Sequence, residues 1–202
     1  MYIGRFVILG KTAGGQWFLA YRVSSRSFPN RRIVLGQDRA AVMPTADAPP
    51  SDNPYISYNC LRATENAVIV ANGSHVDPMI DKVSIGYGLR DAMALSLLAL
   101  DYEHDSYNTP RIAAGLDLHS QRGYLGIVAE DQLRVQEIKP EPGEAFLIAT
   151  YELTAPTPIA LQGETAEALA TGVIECEYEH PVAALVAMPM PSGLQMAAKR
   201  IR

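Results

Sequence analysis

Short apolar runs that stop at turn residues fill both flanks of this chain, and a single long apolar run of helical pattern lies between them. This order restricts the fold more than any other feature. Residues 2–10 are rich in β-branched and aromatic side chains and end at a glycine. Residues 11–15 supply turn chemistry and residues 16–23 resume the pattern, so residues 2–23 read as a β-hairpin. Residues 33–36 and 40–43 are short strand candidates, followed by an irregular proline-rich excursion over residues 44–54. Residues 55–64 and 67–71 form a further strand pair that ends at the turn dipeptide Asn72-Gly73. Asp77-Pro78 has the form of a helix N-cap followed by proline in the first turn, and that helix should stop near residues 86–88. The long run follows, over residues 89–102. It is apolar on nearly every side, which predicts a helix wedged between layers. Strand patterns return at residues 111–118, 123–129, 133–138 and 145–153. Residues 164–171 are helical in pattern with Gly172 as the stop, residues 173–178 suggest a last strand, and residues 183–188 fit helix or strand equally. Two groups of antiparallel strands, 2–71 and 111–153, would then flank a buried helical pair. The class is α+β, with stacked sheets covered by helices over one domain spanning residues 1–202.

Charge is distributed unevenly along this framework. The chain carries a net −5, yet residues 1–37 hold six cations and no acid, the first carboxylate being Asp38. Within residues 21–32, YRVSSRSFPNRR, four arginines and three serines surround a Phe-Pro-Asn turn. A guanidinium offers a fixed fork of donors and serine adds a short hydroxyl donor, a combination suited to phosphate oxygens. The same stretch also fits a solvated basic loop.

Several classes of function are disfavoured. The acidic balance argues against broad nucleic-acid binding, and no window reaches the roughly 20 apolar residues that span a bilayer. The first apolar run is broken by Gly4 and Arg5 and has no leader-type cleavage site. Cys60 and Cys176 suit a reducing compartment, so a cytoplasmic protein is expected. The four histidines show no metal-ligand spacing and neither cysteine has a CxxC partner, so no metal is expected. Gly86-Tyr87-Gly88 lacks a third glycine, which argues against a dinucleotide cofactor, and no GxSxG elbow occurs. The polar groups left at strand ends and in loops are Arg22, Ser24, Ser25, Arg26, Tyr58, Asn59, Asn72, Glu103, Asp105, Tyr107, Asn108 and Arg111. Residue preference favours turn formation over a ligand-binding role for Asn72 and Asn108. Glu103 follows the most apolar helix, where partial burial would fit it to exchange a proton.

The stretch YRVSSRSFPNR resembles the signature of the archaeal-type IMP cyclohydrolases. Residues 101–115, DYEHDSYNTPRIAAG, resemble that family's other recognisable block, and Tyr58-Asn59 and Asn72-Gly73 match further positions. The resemblance implies the four-layer α-β-β-α sandwich of the N-terminal-nucleophile hydrolases. Here residues Met1-Tyr2 stand where those hydrolases carry a nucleophile, so neither self-processing nor acyl-enzyme chemistry is expected. It also implies the dehydrative closure of 5-formamidoimidazole-4-carboxamide ribotide to IMP, which needs no metal or redox cofactor because nucleophile and electrophile share one molecule. On that reading Tyr58, Glu103 and Arg22 form the catalytic group. Tyr58 acts at the formyl oxygen, and Glu103 takes a proton from the carboxamide. Arg22, Ser24, Ser25 and Arg26 hold the 5′-phosphate, with Arg111 as a second cation; Asn59, Asn72 and Asn108 align the amides, and Arg31 and Arg32 are structural. The partner is a small nucleotide, with neither nucleic acid nor membrane involved, and exposed sheet edges leave room for a homo-oligomer. An amide or amidine hydrolase on the same sandwich, and a non-catalytic nucleotide-binding protein, are the alternatives.

Overall fold

The computed structural model describes residues 1–50 and 56–201. Among the described residues, thirteen strands form two antiparallel sheets. One holds β1 (Phe6–Lys11), β2 (Trp17–Ser24), β10 (Ala145–Ala149), β11 (Thr157–Pro158), β12 (Pro181–Met190) and β13 (Gly193–Arg200), in the order β11-β10-β1-β2-β12-β13. The other holds β3 (Arg31–Leu35), β4 (Arg39–Pro44), β5 (Tyr58–Ala63), β6 (Ala67–Ala71), β7 (Arg111–Asp117), β8 (Arg122–Ala129) and β9 (Gln132–Ile138), in sequence order. The helices are α1 (Val76–Ser84), α2 (Leu89–Leu100) and α3 (Ala166–Glu175).

Strand periodicity assigns each side chain to a layer. From the first sheet, Val7, Leu9, Leu19, Tyr21 and Leu185 point inward, against Val42, Val70, Ile112, Leu125 and Ile127 of the second. Their neighbours Phe6, Ile8, Phe18, Ala20 and Val186 point outward and are covered by Leu169, Ala170 and Val173 of α3. On the far side, Ile69, Ala71, Ala113, Tyr124 and Val128 are covered by Val76, Met79 and Ile80 of α1 and by Leu89, Met93 and Leu97 of α2. The layers therefore run helix, sheet, sheet, helices.

Both sheets are fully antiparallel, and the β1–β2 hairpin pairs Phe6 with Arg22 through to Lys11 with Trp17. The predicted partition of the chain differs from the observed one. The helical pair covers an outer face instead of lying between the strand groups, and strands from residues 31–71 and 111–138 share one sheet. In α2, Leu98 is 64% exposed and Leu95 and Leu100 also face outward. Its inner face sits close because β7 and β8 present glycines: a Cβ on Gly126 would stand 3.0 Å from Leu97 and 3.2 Å from Met93.

Three local expectations are also corrected. Helix α1 is capped at His75 with no side-chain cap, and Asp77 lies in the first turn instead, where Arg62 and Asn59 draw its carboxylate aside. Helix α3 runs through Gly172 to Glu175, since burying Val173 and Ile174 outweighs the helix-breaking tendency of one glycine; the strand expected over residues 173–178 is absent. Residues 183–188 belong to strand β12. The excursion over residues 44–54 and the strand expected from residue 55 lie partly outside the described residues.

Candidate functional site

A cleft of about 680 Å³ opens at one end of the sandwich, large enough for a nucleotide. Both sheets contribute to it. From the first come Tyr2–Arg5 ahead of β1, the loop after β2, and Thr150–Glu152 after β10; from the second come Arg31, Ile56 and the loop that leads from α2 to β7.

The loop after β2 is the arginine- and serine-rich stretch. Ser25 Oγ accepts from Phe28 N at 2.9 Å and Arg31 Nε donates to the Phe28 carbonyl at 3.0 Å, which folds residues 25–31 into a closed turn. Ser24, Ser25, Arg26 and Arg31 all line the cleft. The Ser24 hydroxyl is buried and meets no hydrogen-bond partner among the described residues, so its donor is uncommitted. Arg26 stacks on the Tyr2 ring at 4.1 Å, an arrangement that leaves the guanidinium edge available. Arg31, read from sequence as structural, is buried in the cleft wall; Arg32 is exposed on β3.

The second loop is built around Asp105. Its Oδ1 accepts from Tyr107 N and Thr109 N, and its Oδ2 accepts from the Thr109 hydroxyl at 2.8 Å. Burial acts against the Asp105 charge, but these donations from Thr109 and Tyr107 outweigh it and hold the carboxyl below its usual range. Because the Thr109 proton goes to Asp105, the Tyr151 hydroxyl donates to Thr109 Oγ1 at 3.0 Å, which ties this loop to the other sheet. A bridge from Glu103 N to the Thr109 carbonyl at 2.8 Å completes the turn and fixes Glu103 at the cleft floor.

Glu103 is 2% exposed. Its Oε2 accepts from Arg5 Nη2 at 2.9 Å, and Arg111 Nη1 stands 3.7 Å from Oε1. Arg5 also donates to the Asn72 carbonyl at 3.0 Å. Burial opposes the Arg5 charge, but Glu103, with the Tyr58 and Tyr21 oxygens nearby, holds its proton more firmly than an ordinary guanidinium. Those two tyrosines share a buried hydrogen bond of 2.6 Å between their hydroxyls, formed across the sheet interface. Arg5, Glu103, Tyr58 and Tyr21 thus make one buried polar cluster where the two sheets meet.

Other residues singled out from the sequence lie elsewhere. Arg22 is fully buried and faces the α3 side, where it donates to the carbonyls of Val173, Cys176 and Tyr178. It caps the C-terminus of α3 and does not line the cleft, because strand alternation turns it to the outer face while Tyr21 and Val23 point inward. Asn59 donates to Asp77 on the α1 side. Asn72 donates to the Pro110 carbonyl and accepts from Ile112 N, which stitches β6 to β7. Asn108 has a φ of +48° and donates to Glu130 on the surface. Arg111 reaches the site from behind, its Nε held by the Asp101 carbonyl. Sequence reasoning passed over Arg5, Tyr2, Thr109 and Tyr151. Only Arg5 left a trace, as a cation stranded at the head of an apolar strand.

The helix-covered double sheet carries a cationic, hydroxyl-rich cleft with a buried, ion-paired carboxylate at its floor, a lining chemically suited to a small anionic ligand. Residues 2–192 match the family described as "IMP cyclohydrolase-like protein", and the chain belongs to that family. It is 48% identical over 185 residues to the IMP cyclohydrolase of Methanocella arvoryzae, covering 91% of this chain and 90% of that one. It is 46% identical over 186 residues to the Haloquadratum walsbyi IMP cyclohydrolase, covering 91% and 89%. Identity to the enzyme of that name from Methanococcus maripaludis strain C7 is 42% over 202 residues, covering 98% and 99%.

Proposed function

We propose that the chain is an IMP cyclohydrolase that closes 5-formamidoimidazole-4-carboxamide ribotide to IMP with loss of water. The family membership supports the activity, and the layer order supports an architectural likeness to the N-terminal-nucleophile hydrolases. The observation that carries the mechanism is the buried Glu103 carboxylate, paired to Arg5 at 2.9 Å in the cleft that the arginine-serine loop also lines.

In this reading the 5′-phosphate lies against Ser24, Ser25, Arg26 and Arg31, where two cations and the uncommitted Ser24 hydroxyl can surround its oxygens. Arg22 is left out of this set because α3 occupies its donors. The carboxamide nitrogen attacks the formyl carbon of the same molecule, forming the C–N bond, and the formyl oxygen takes a proton from water to become a hydroxyl. The C–O bond then breaks as the formamide nitrogen gives its proton to water and closes the C=N double bond. Glu103 accepts the proton that the nitrogen releases. Tyr58, whose hydroxyl is paired to that of Tyr21, donates to the oxygen as it departs as water. Arg5 steadies Glu103 and places positive charge beside the developing oxyanion. Holding both reacting groups in one rotamer supplies much of the acceleration.

The test is direct. The purified protein is incubated with the formylated ribotide and the purine absorbance is followed. Appearance of IMP in proportion to protein supports the assignment; hydrolysis to the unformylated ribotide, or no change, removes it.

A further inference from the structure

Three polar atoms face one point beside the backbone of Gly73. A Cβ built there would stand 3.3 Å from Arg111 Nη1, 3.3 Å from His75 Nδ1 and 3.4 Å from Glu103 Oε1. Glu103 Oε1 and His75 Nδ1 are both buried, and neither has a hydrogen-bond partner among the described residues. Buried polar groups are seldom left so, since each orphan has given up its hydrogen bonds to water without replacement.

The hydrogen-bonding capacity of the three atoms is determined by their surroundings. His75 Nε2 lies 3.0 Å from the Ile112 carbonyl, which can only accept, so Nε2 carries the ring proton and Nδ1 presents a lone pair. Burial pushes the imidazole down to about 3, so the ring is neutral near pH 7. Glu103 Oε1 is a second acceptor. Arg111 Nη1 is a donor, 3.7 Å from Oε1 and beyond direct hydrogen-bonding reach. Two acceptors and one donor are complemented by a molecule with two protons and a lone pair. A cation is repelled by Arg111 and Arg5, an anion by Glu103, and a lone hydroxyl has too few protons.

We infer that Glu103, His75 and Arg111 hold one ordered water at Gly73, and that through this water His75 acts as a positioning residue for Glu103. Arg5 fixes Oε2 and the water fixes Oε1, so the carboxylate is oriented at both oxygens. Glycine is required at position 73 because a methyl group there would occupy the water's space. The kinetic part of this inference rests on the proposed role of Glu103; the water site itself does not.

High-resolution crystal structures of the wild type and of Gly73→Ala, with steady-state kinetics on both and on His75→Phe, test it. The wild type should show one water within about 3.2 Å of all three atoms. Gly73→Ala should lose it. Both variants should lose roughly tenfold in kcat while KM stays within about twofold, the signature of a misaimed carboxylate. Gly73 has no left-handed backbone to strain, so Gly73→Ala remains informative if His75→Phe fails to fold. Absence of the water, or direct pairing of the three side chains, overturns the site. A water present in the wild type with unchanged kcat in the variants overturns the positioning role. A wild type that shows the water but forms no IMP supports the site while refuting the proposed reaction.

Discussion

Arg5 and Glu103 join the two sheets: the guanidinium leads into β1 of one, the carboxylate precedes β7 of the other, and their atoms meet at 2.9 Å. Removing one member of so buried a pair leaves the other charge uncompensated, at a cost of about 3–5 kcal/mol. Arg5→Met should lower the stability measured by urea unfolding by about that amount, and turnover should fall with it. A change below about 1 kcal/mol would mean that Arg111 alone suffices to hold Glu103.

Arg22 separates a structural arginine from a ligand-binding one. Its donors serve the last carbonyls of α3, so Arg22→Ala should destabilise the fold by about 3 kcal/mol and leave KM within about twofold at temperatures where the protein is folded. Thermal unfolding together with substrate titration measures both. A stable variant with a greatly raised KM would return Arg22 to the phosphate site.

Arg26 should behave in the opposite way. It is exposed at the cleft mouth, stacked on Tyr2, and no carboxylate pairs with it among the described residues. Arg26→Ala should shift stability by no more than about 1 kcal/mol and raise KM about tenfold or more, the effect of losing one charge-assisted contact to phosphate. An unchanged KM contradicts the placement of the phosphate.

His75 gives the fold an acid sensitivity of known sign. The unfolded chain takes up a proton on this ring near pH 6.5, whereas burial delays uptake in the folded chain to about 3. The unfolded state therefore binds more protons between those values, and stability that is full above pH 6.5 is lost as pH falls toward 3, by about 1.4 kcal/mol per pH unit from this group. Urea titrations at pH 7 and pH 5 should show the wild type losing more stability than His75→Phe over the interval. Equal losses would show that His75 can be protonated without unfolding.

Much of the strand framework was legible because strands such as β1 and β2 are buried on both faces and so read as short continuous apolar runs that stop at turn residues. The helices were harder. Leu95, Leu98 and Leu100 make α2 look buried on every side, yet its outer face carries them in the open, and no hydrophobic pattern in a single chain distinguishes the two cases. Gly172 reads as a stop until Val173 and Ile174 find the sheet. At the site, Ser24, Ser25, Arg26 and Glu103 stood out by type and neighbourhood and fall together in the cleft. Arg22 sits between two inward-facing residues, so its outward direction follows from strand register alone, a signal present in the sequence and overridden by the density of arginines around it. Arg5 and Tyr151 join the site only through strand pairing across some 140 residues, which local patterns do not encode.

Turnover of Glu103→Gln isolates the proposed proton transfer, because the substitution keeps the shape of the side chain and removes its capacity to take a proton. With the variant shown to be folded at the assay temperature, kcat for IMP formation should fall by about 10²–10⁴-fold. Turnover close to that of the wild type in a folded Glu103→Gln protein would contradict that transfer.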